Sequence, residues 1–262
     1  MLLIALSWAL FPILFVVISS FKEPKYIFAW PYSLLSFLTS INYHNLFTLH
    51  ADFLQALANS FLIMLVATSF TLTISFLAGY TFSRYRTRTL GLIAFFAIAI
   101  RMLPPIIISI PFYPLFHRFR LFDKHITLAI LYATFQISLT SWIMKAFIDT
   151  IPVELEEAAV VDGCTKVQVL TKIIFPLARP GLFTIAVLTI IFCWNEFLFA
   201  FLFSGPNSRT APVFISELMG GWYGAEWGMV FAASTIQLLP ILLFVWATSG
   251  VVRRGLALGA VK

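Results

Sequence analysis

The sequence predicts an all-α membrane protein with six transmembrane helices. Of its 262 residues, 61% are hydrophobic and only 11% are charged, whereas an ordinary soluble domain carries about 25% charged residues. A transmembrane helix needs about 20 predominantly apolar residues. Segments that meet this requirement lie at residues 2–20, 57–81, 91–115, 126–147, 181–203 and 228–251. We therefore expect one multi-pass domain whose apolar surface is buried in a lipid bilayer.

The first predicted span and the loop after it make up residues 1–52. The opening residues lack the basic flank and the small-residue cleavage site of a signal peptide, so we expect this span to be retained. The stretch from Lys22 to Gln55 mixes prolines and lysines with several aromatic residues. It is too polar to span a bilayer, and its aromatic residues favour an ordered external loop at the membrane interface.

A short arginine-rich loop sets the predicted topology. Arg84, Arg86 and Arg88 lie between the second and third predicted spans, and short loops rich in arginine stay in the cytoplasm. If the spans alternate, both termini are cytoplasmic. We expect a transmembrane core that forms the permeation pathway over residues 53–251, followed by a cytoplasmic tail over residues 252–262.

The third predicted span is rich in proline. Pro104 and Pro105 follow Arg101 directly, and Pro111 and Pro114 lie further along the same segment. Proline removes a backbone hydrogen bond and clashes with the preceding turn. The sequence therefore predicts a kinked or locally unwound helix.

The loop between the fourth and fifth predicted spans is too charged for a bilayer to hold. Pro152 and the glutamates after it suit a helix N-terminus, and Gly163 suits its C-terminal end. Thr165 and Gln168 have the spacing of a capping box that opens a second helix. We expect Pro176 and the Pro180-Gly181 pair to close that second helix.

This loop also carries a family resemblance. The sequence Glu157-Ala158-Ala159, followed by Gly163 and by Ile173-x-Phe175-Pro176, resembles the EAA loop of bacterial ABC importer permeases, with Phe175 where that family prefers leucine. The resemblance implies a type I importer permease fold in which a coupling helix docks on a cytoplasmic ATPase. The residues it assigns to this contact are Glu154, Glu157, Ala158, Ala159, Asp162, Gly163 and Pro176. The alternative is an amphipathic interfacial loop without a dedicated partner.

Other parts of the chain resemble the carbohydrate, maltose-transporter-like branch of the same family. They are the approach to the second span from Asn42 to Ser60, the Trp194-Asn195-Glu196-Phe197 sequence and the tail from Arg253 to Lys262. The resemblance implies a heterodimer with a second permease subunit, an ABC ATPase dimer and an extracytoplasmic solute-binding protein. It also implies a location in the cell inner membrane.

Polar residues within the predicted spans are candidates for the translocation pathway, because a charge that faces lipid at mid-depth costs at least about 2.5–3.5 kcal/mol. These candidates are Arg101, Gln136, Trp194, Asn195, Glu196 and Gln237. Arg101 and Glu196 differ in predicted depth by only about 7 Å, so we expect an ion pair between them that lines or gates the pathway. A purely structural pair, or an Arg101 joined to the second permease, is the alternative. Trp194 and Asn195 suit sugar binding, although packing against neighbouring helices would explain Trp194 equally well.

Residues typical of catalysis are missing from the sequence. The four histidines fall in predicted external loops without metal-ligand spacing, and there is no phosphate-binding loop. We therefore expect neither an enzyme nor a cofactor or metal site, with ATP hydrolysis on a separate subunit. The net charge of +6 is explained by cytoplasmic loops rather than by nucleic acid. A permease for a sugar or polyol is the predicted function; an ABC permease for another solute, or a secondary transporter or channel, is the alternative.

Overall fold

The structure is a computed structural model that describes residues 1–30, 38–85, 87–220 and 224–259, with only the backbone for residues 2, 3 and 249–259. Within these ranges the regular structure is helical, apart from one isolated β-bridge between Lys22 and Leu38. This confirms the all-α prediction. Arg86 of the arginine-rich loop and the last three residues of the predicted tail lie outside the described residues, as do the side chains of Arg253 and Arg254.

The helices follow one another in chain order with short connections. They are α1 (Leu2–Ser20), α2 (Ile41–Leu49), α3 (Asp52–Arg84), α4 (Arg88–Arg101), α5 (Pro105–Arg118), α6 (His125–Asp149), α7 (Glu154–Val161), α8 (Lys166–Leu177), α9 (Arg179–Asn195), α10 (Leu198–Phe203), α11 (Ala211–Met219) and α12 (Trp227–Gly259).

Three of these helices are long and apolar enough to cross a membrane by themselves. They are α3, α6 and the Trp227–Thr248 part of α12, and they contain the second and fourth predicted spans and most of the sixth. The first predicted span is a shorter apolar helix. Two further bent pairs of helices, α4 with α5 and α8 with α9, bring the number of candidate spans among the described residues to five.

The third predicted span is broken at its proline pair. The helices α4 and α5 meet at an angle of 94°, because the chain leaves the helical conformation at Pro104 (φ −56°, ψ 129°). A residue that precedes proline is pushed towards extended backbone, and Pro105 then occupies the first turn of α5, where its missing N–H costs nothing. The predicted kink is thus confirmed, and it is a complete interruption.

The described chain forms two compact units. The first comprises residues 1–60 and 208–251. Its apolar core joins α2, the start of α3, α11 and α12 through Leu46, Phe53, Phe214 and Ala233, among others. Near this core, Arg209 forms ion pairs with the carboxylates of Asp52 and Glu217.

The second unit comprises residues 61–207 and 252–262. Within it, α6 packs against α4, α9 and α10. Polar contacts on two sides of α6 fix it: Ser75 and Thr140 share a 2.6 Å hydrogen bond between α3 and α6, and the Trp142 indole donates to the carbonyl of Ala94 in α4 at 2.9 Å. The helix α6 is therefore the central element of this unit.

Two glycines allow the neighbours of α6 to approach it closely. A Cβ atom added at Gly79 of α3 would lie 2.7 Å from the Met144 Cβ and 2.9 Å from the Lys145 backbone nitrogen. One added at Gly181 of α9 would lie 2.7 Å from both Met144 and Phe147. Since a backbone atom cannot move aside as a flexible side chain does, α3 and α6 pack at this distance only with glycine at position 79.

We predict that Gly79→Ala destabilises the protein by about 1–3 kcal/mol, which is typical of overpacking in a dense core. The matched control is Gly91→Ala in α4, where the added Cβ meets nothing within 4 Å. There the better helix propensity of alanine should stabilise the protein by up to about 1 kcal/mol. Thermal unfolding of the two purified variants in detergent measures both changes, and equal effects would contradict the packing argument.

Candidate functional site

The segment of residues 152–176 folds as the paired helix signals predict at its start. Three glutamates occupy the first turn of α7, where their charges interact favourably with the helix dipole. Gly163 ends the helix with φ +86°, and the Cys164 N–H donates to the Ala159 carbonyl at 2.9 Å. This hydrogen bond across six residues, with a left-handed glycine, is a Schellman ending.

The second helix of the segment also begins as predicted. Thr165 accepts a hydrogen bond from the Gln168 N–H at 3.3 Å, and the Gln168 side chain accepts one from the Thr165 N–H at 2.8 Å. This reciprocal pair is the capping box that the spacing indicated.

The predicted end of that second helix is confirmed in part, since α8 ends at Leu177, directly after Pro176. Val169–Ile174 form a π-helical stretch, and the helical backbone passes through Pro176 and bends by 71° before Arg179. Pro180 and Gly181 do not close α8, because they lie in the first turn of α9. A proline there replaces an N–H that has no intrahelical partner in any case.

The helix α7 is attached to the end of α3 by a buried ion pair. The Arg84 Nε lies 2.5 Å from Glu156 Oε1, and the two side chains are only 12% and 11% exposed. The Tyr80 hydroxyl donates to the other carboxylate oxygen at 2.8 Å. Both oxygens of Glu156 are thus satisfied from α3, as a buried carboxylate requires.

A second set of contacts ties the end of α3 to the end of α6. The Ser83 hydroxyl donates to Asp149 Oδ1 at 2.6 Å, and Lys145 donates to Asp149 Oδ2 at 2.5 Å. Arg84 also donates to the Ile151 carbonyl at 2.9 Å. Together these bonds join α3, α6 and the start of the 152–176 segment into one polar cluster.

The predicted contact residues divide into an exposed and a buried group. Glu154, Glu157, Ala158, Asp162 and Gly163 are exposed, and Pro176 is half-buried. Ala159 was expected on the same face as Ala158, but it is only 7% exposed and belongs to the core that contains Met144, Ile148 and Ile174.

The exposed side of the 152–176 segment is apolar as well as charged. Val160 and Val161 are 56% and 87% exposed, and Val167 is 70% exposed. Val160 and Val161 border an open groove of about 620 Å³ that Tyr85 and Lys166 also line. Exposed apolar residues grouped in this way, rimmed by charges, are typical of a surface that binds another protein.

The predicted ion pair between Arg101 and Glu196 is wrong. Arg101 donates instead to the Phe135 carbonyl at 3.0 Å and to the Gln136 side chain at 3.1 Å, with its guanidinium 4.7 Å from the centre of the Phe135 ring. The predicted depths of the two residues hold only for straight helices. The prediction failed because α4 ends at Arg101 and because the chain leaves helix α9 at Glu196.

Glu196 has a local structural partner. Its carboxylate accepts the backbone N–H groups of Phe199 at 2.8 Å and of Ala200 at 3.2 Å, at the start of α10. It is 9% exposed. Glu196 therefore caps α10 where the fifth predicted span is interrupted.

The remaining pathway candidates lie in different environments. Gln136 and Trp194 are 3% and 4% exposed, whereas Asn195 is exposed and donates to the Ile191 carbonyl of its own helix at 2.8 Å. Gln237 is half-buried on α12, in the first unit. Among these candidates the structure brings together Arg101 and Gln136. No cluster of potential metal ligands occurs among the residues that the structure describes.

Sequence reasoning missed the buried contact of Glu156. It assigned Arg84 to topology alone and gave coupling roles to the neighbouring glutamates. The available signal was spacing, because Glu156 lies three residues before Ala159 and therefore on the same face of α7. The two are the residues of α7 that the structure buries.

The family described as the binding-protein-dependent transport system inner membrane component matches residues 71–254. The chain is 32% identical over 258 residues to a trehalose/maltose transport system permease of Thermococcus litoralis, covering 97% of this chain and 91% of that protein. It is 33% identical over 262 residues to a trehalose transport system permease of Mycobacterium tuberculosis, covering 99% and 94%.

A third relative is a sulfoquinovosyl glycerol transport system permease of Agrobacterium fabrum, 30% identical over 97% of this chain and 89% of that protein. A solved bacterial ABC transporter, involved in import of the acidic polysaccharide alginate, superposes with a TM-score of 0.80 at 22% identity, over 95% of this chain and 92% of that one. These relatives are transport subunits, which confirms that the chain is a permease and not an enzyme.

We predict that Glu156→Gln destabilises the protein by roughly 3 kcal/mol, because it leaves the buried Arg84 without a counter-charge. The control is Glu157→Gln, one residue further on and exposed, which should change the free energy of unfolding by no more than about 0.5 kcal/mol. Denaturant unfolding of the two variants provides the comparison. A Glu156→Gln protein as stable as the control would show that the ion pair does not hold α7 to α3.

Proposed function

Because the chain belongs to the family of binding-protein-dependent transport system inner membrane components, we propose that it forms half of the translocation pathway of an ATP-driven importer. In this proposal six segments cross the inner membrane. Four are the helices α1, α3, α6 and α12, and the other two are the broken α4–α5 pair and the α9–α10 region. Both termini and the 152–176 segment lie in the cytoplasm. The arginine-rich loop between α3 and α4 supports this orientation.

The observation that carries the proposal is the 152–176 segment itself. It presents exposed valines and carboxylates outward, while Glu156 anchors it inward to Arg84. A segment that offers a binding surface to a partner and is anchored to the transmembrane helices suits a coupling element. The surface of this chain that docks on the ATPase dimer comprises Glu154, Glu157, Ala158, Asp162 and Gly163. Ala159 and Pro176 lie on the inner side of the segment and support its conformation.

The coupling is mechanical. When the two ATPase subunits close, they move α7, and the ion pair and the Asp149 contacts carry that motion to α3 and α6. Rigid-body movement of the helices then exposes the cavity to one side of the membrane and afterwards to the other. Arg101, Gln136, Trp194, Asn195, Glu196 and Gln237 are the residues that we assign to the pathway or its walls.

The proposed cargo is a saccharide. The permeases named above belong to transporters for trehalose, maltose and sulfoquinovosyl glycerol. These names support a carbohydrate cargo and include both neutral and charged molecules. An extracytoplasmic solute-binding protein delivers the cargo, and a second permease completes the cavity.

The experiment that tests this function is purification from its native host through a tag on this chain. We expect a second permease and an ABC ATPase to co-purify, and we expect the reconstituted complex to hydrolyse ATP faster when the cognate binding protein is added. Transport by this chain in vesicles that lack any ATPase would favour a secondary transporter and overturn the proposal.

We also predict that Gly163→Val uncouples ATP hydrolysis from uptake. The space around Gly163 is open, since an added Cβ meets nothing within 4 Å; the constraint is its φ of +86°, which β-branched residues avoid. The matched control is Gly163→Asn, because asparagine adopts this conformation readily. Uptake at constant ATPase activity should fall several-fold for valine and little for asparagine. Equal uptake by both would show that the left-handed turn is not needed for coupling.

A further inference from the structure

Arg101 contacts the middle of α6, a helix long and apolar enough to cross a membrane. Its guanidinium contacts Phe135 and Gln136, which lie near the middle of α6. At a rise of 1.5 Å per residue, Gln136 is roughly 16 Å from the His125 end of α6 and roughly 20 Å from its Asp149 end. Lipid headgroups lie about 15 Å or more from the centre of a bilayer, so the guanidinium is out of their ordinary reach.

Among the described residues, no carboxylate forms an ion pair with Arg101. All 11 Asp and Glu residues lie within the described ranges, and none of the ion pairs there includes Arg101. The partners of Arg101 are a carbonyl, an amide and an aromatic ring, all of which are neutral. An intramembrane cation in that state needs a counter-charge or water from outside the chain.

The guanidinium of Arg101 also has N–H groups that are not used in hydrogen bonds within the described residues. Both of its hydrogen bonds come from Nη1, and within the described residues Nε and Nη2 donate to no acceptor. A guanidinium presents its N–H groups as a planar fork that fits the two oxygens of an anionic group. The cation–π contact with Phe135 holds this fork in place.

An aromatic surface continues from Arg101 towards an open amide. The Phe135 ring stacks on the Phe192 ring with centroids 5.5 Å apart and an interplanar angle of 17°, and both side chains are half-buried. Asn195 follows Phe192 by three residues on α9 and so lies on the same face. It is exposed, and its donated bond to Ile191 leaves the carbonyl oxygen free to accept. We call Arg101, Phe135, Phe192 and Asn195 the Arg101 strip.

We propose that the Arg101 strip binds the transported molecule, and that this molecule is a saccharide with an anionic group, such as a carboxylate, sulfonate or phosphate. This inference rests on the proposed function. The fork of Arg101 takes the anionic group, the apolar face of the sugar ring packs on Phe192, and Asn195 accepts a hydroxyl hydrogen. A carboxylate of the second permease could neutralise Arg101 as well, but such a pair has no use for the aromatic surface and amide beside it.

The test uses the complete importer, with its second permease and ATPase, in lipid nanodiscs. The probes are methyl glucuronide and methyl glucoside, which differ in the carboxylate, and saturation-transfer NMR titration measures their affinities. We expect about tenfold tighter binding of the glucuronide, the size of one charge-assisted hydrogen-bonded pair. Arg101→Gln should abolish this preference, and Arg101→Lys should retain part of it. The control Arg118→Gln, an exposed arginine of α5, should leave the preference intact.

Equal affinity for the two probes, absence of binding, or a preference that survives Arg101→Gln would overturn the inference. So would a loss of the second permease from purified Arg101→Gln complexes, because that result would place the counter-charge on the other subunit. Failure of the wild-type chain to assemble with an ATPase at all would instead count against the proposed function.

Discussion

The ion pair between Arg84 and Glu156 is the interaction on which the proposed mechanism depends. Two charges shielded from water are stable only if each is paired and hydrogen-bonded. Here Glu156 meets both requirements, since Arg84 and Tyr80 together occupy its two oxygens. Moving α7 away from α3 would leave both charges unpaired, which costs free energy. The two helices therefore have to move together.

The rest of the second unit extends this rigidity. The close approach at Gly79 presses α3 against α6, and Gly181 does the same for α9, on the other side of the 152–176 segment. The segment therefore begins directly after α6 and ends directly before α9, a helix that packs closely on α6. In a dense core such packing transmits displacement, which is the property that a lever between an ATPase and the transmembrane helices requires.

The elements that the sequence predicted best depend on local rules. The capping box at Thr165, the left-handed turn at Gly163 and the interruption before Pro105 all follow from the chemistry of a few adjacent residues. The errors came where tertiary structure decides. A π-helical stretch directly precedes Phe175 and Pro176, Arg101 contacts Phe135 and Gln136 instead of Glu196, and the burial of Glu156 depends on an arginine 72 positions earlier in the chain. The contact with the ATPase and the pathway residues stay predictions.

The most direct measurement concerns the side of the membrane on which α7 lies. A single cysteine at Asp162, in a chain whose Cys164 and Cys193 are replaced by serine, is treated with a membrane-impermeant maleimide. The account predicts labelling in inside-out vesicles stripped of ATPase, protection when the ATPase is bound, and no labelling in intact cells or spheroplasts. Labelling from the outside, or identical labelling with and without the ATPase, would contradict it.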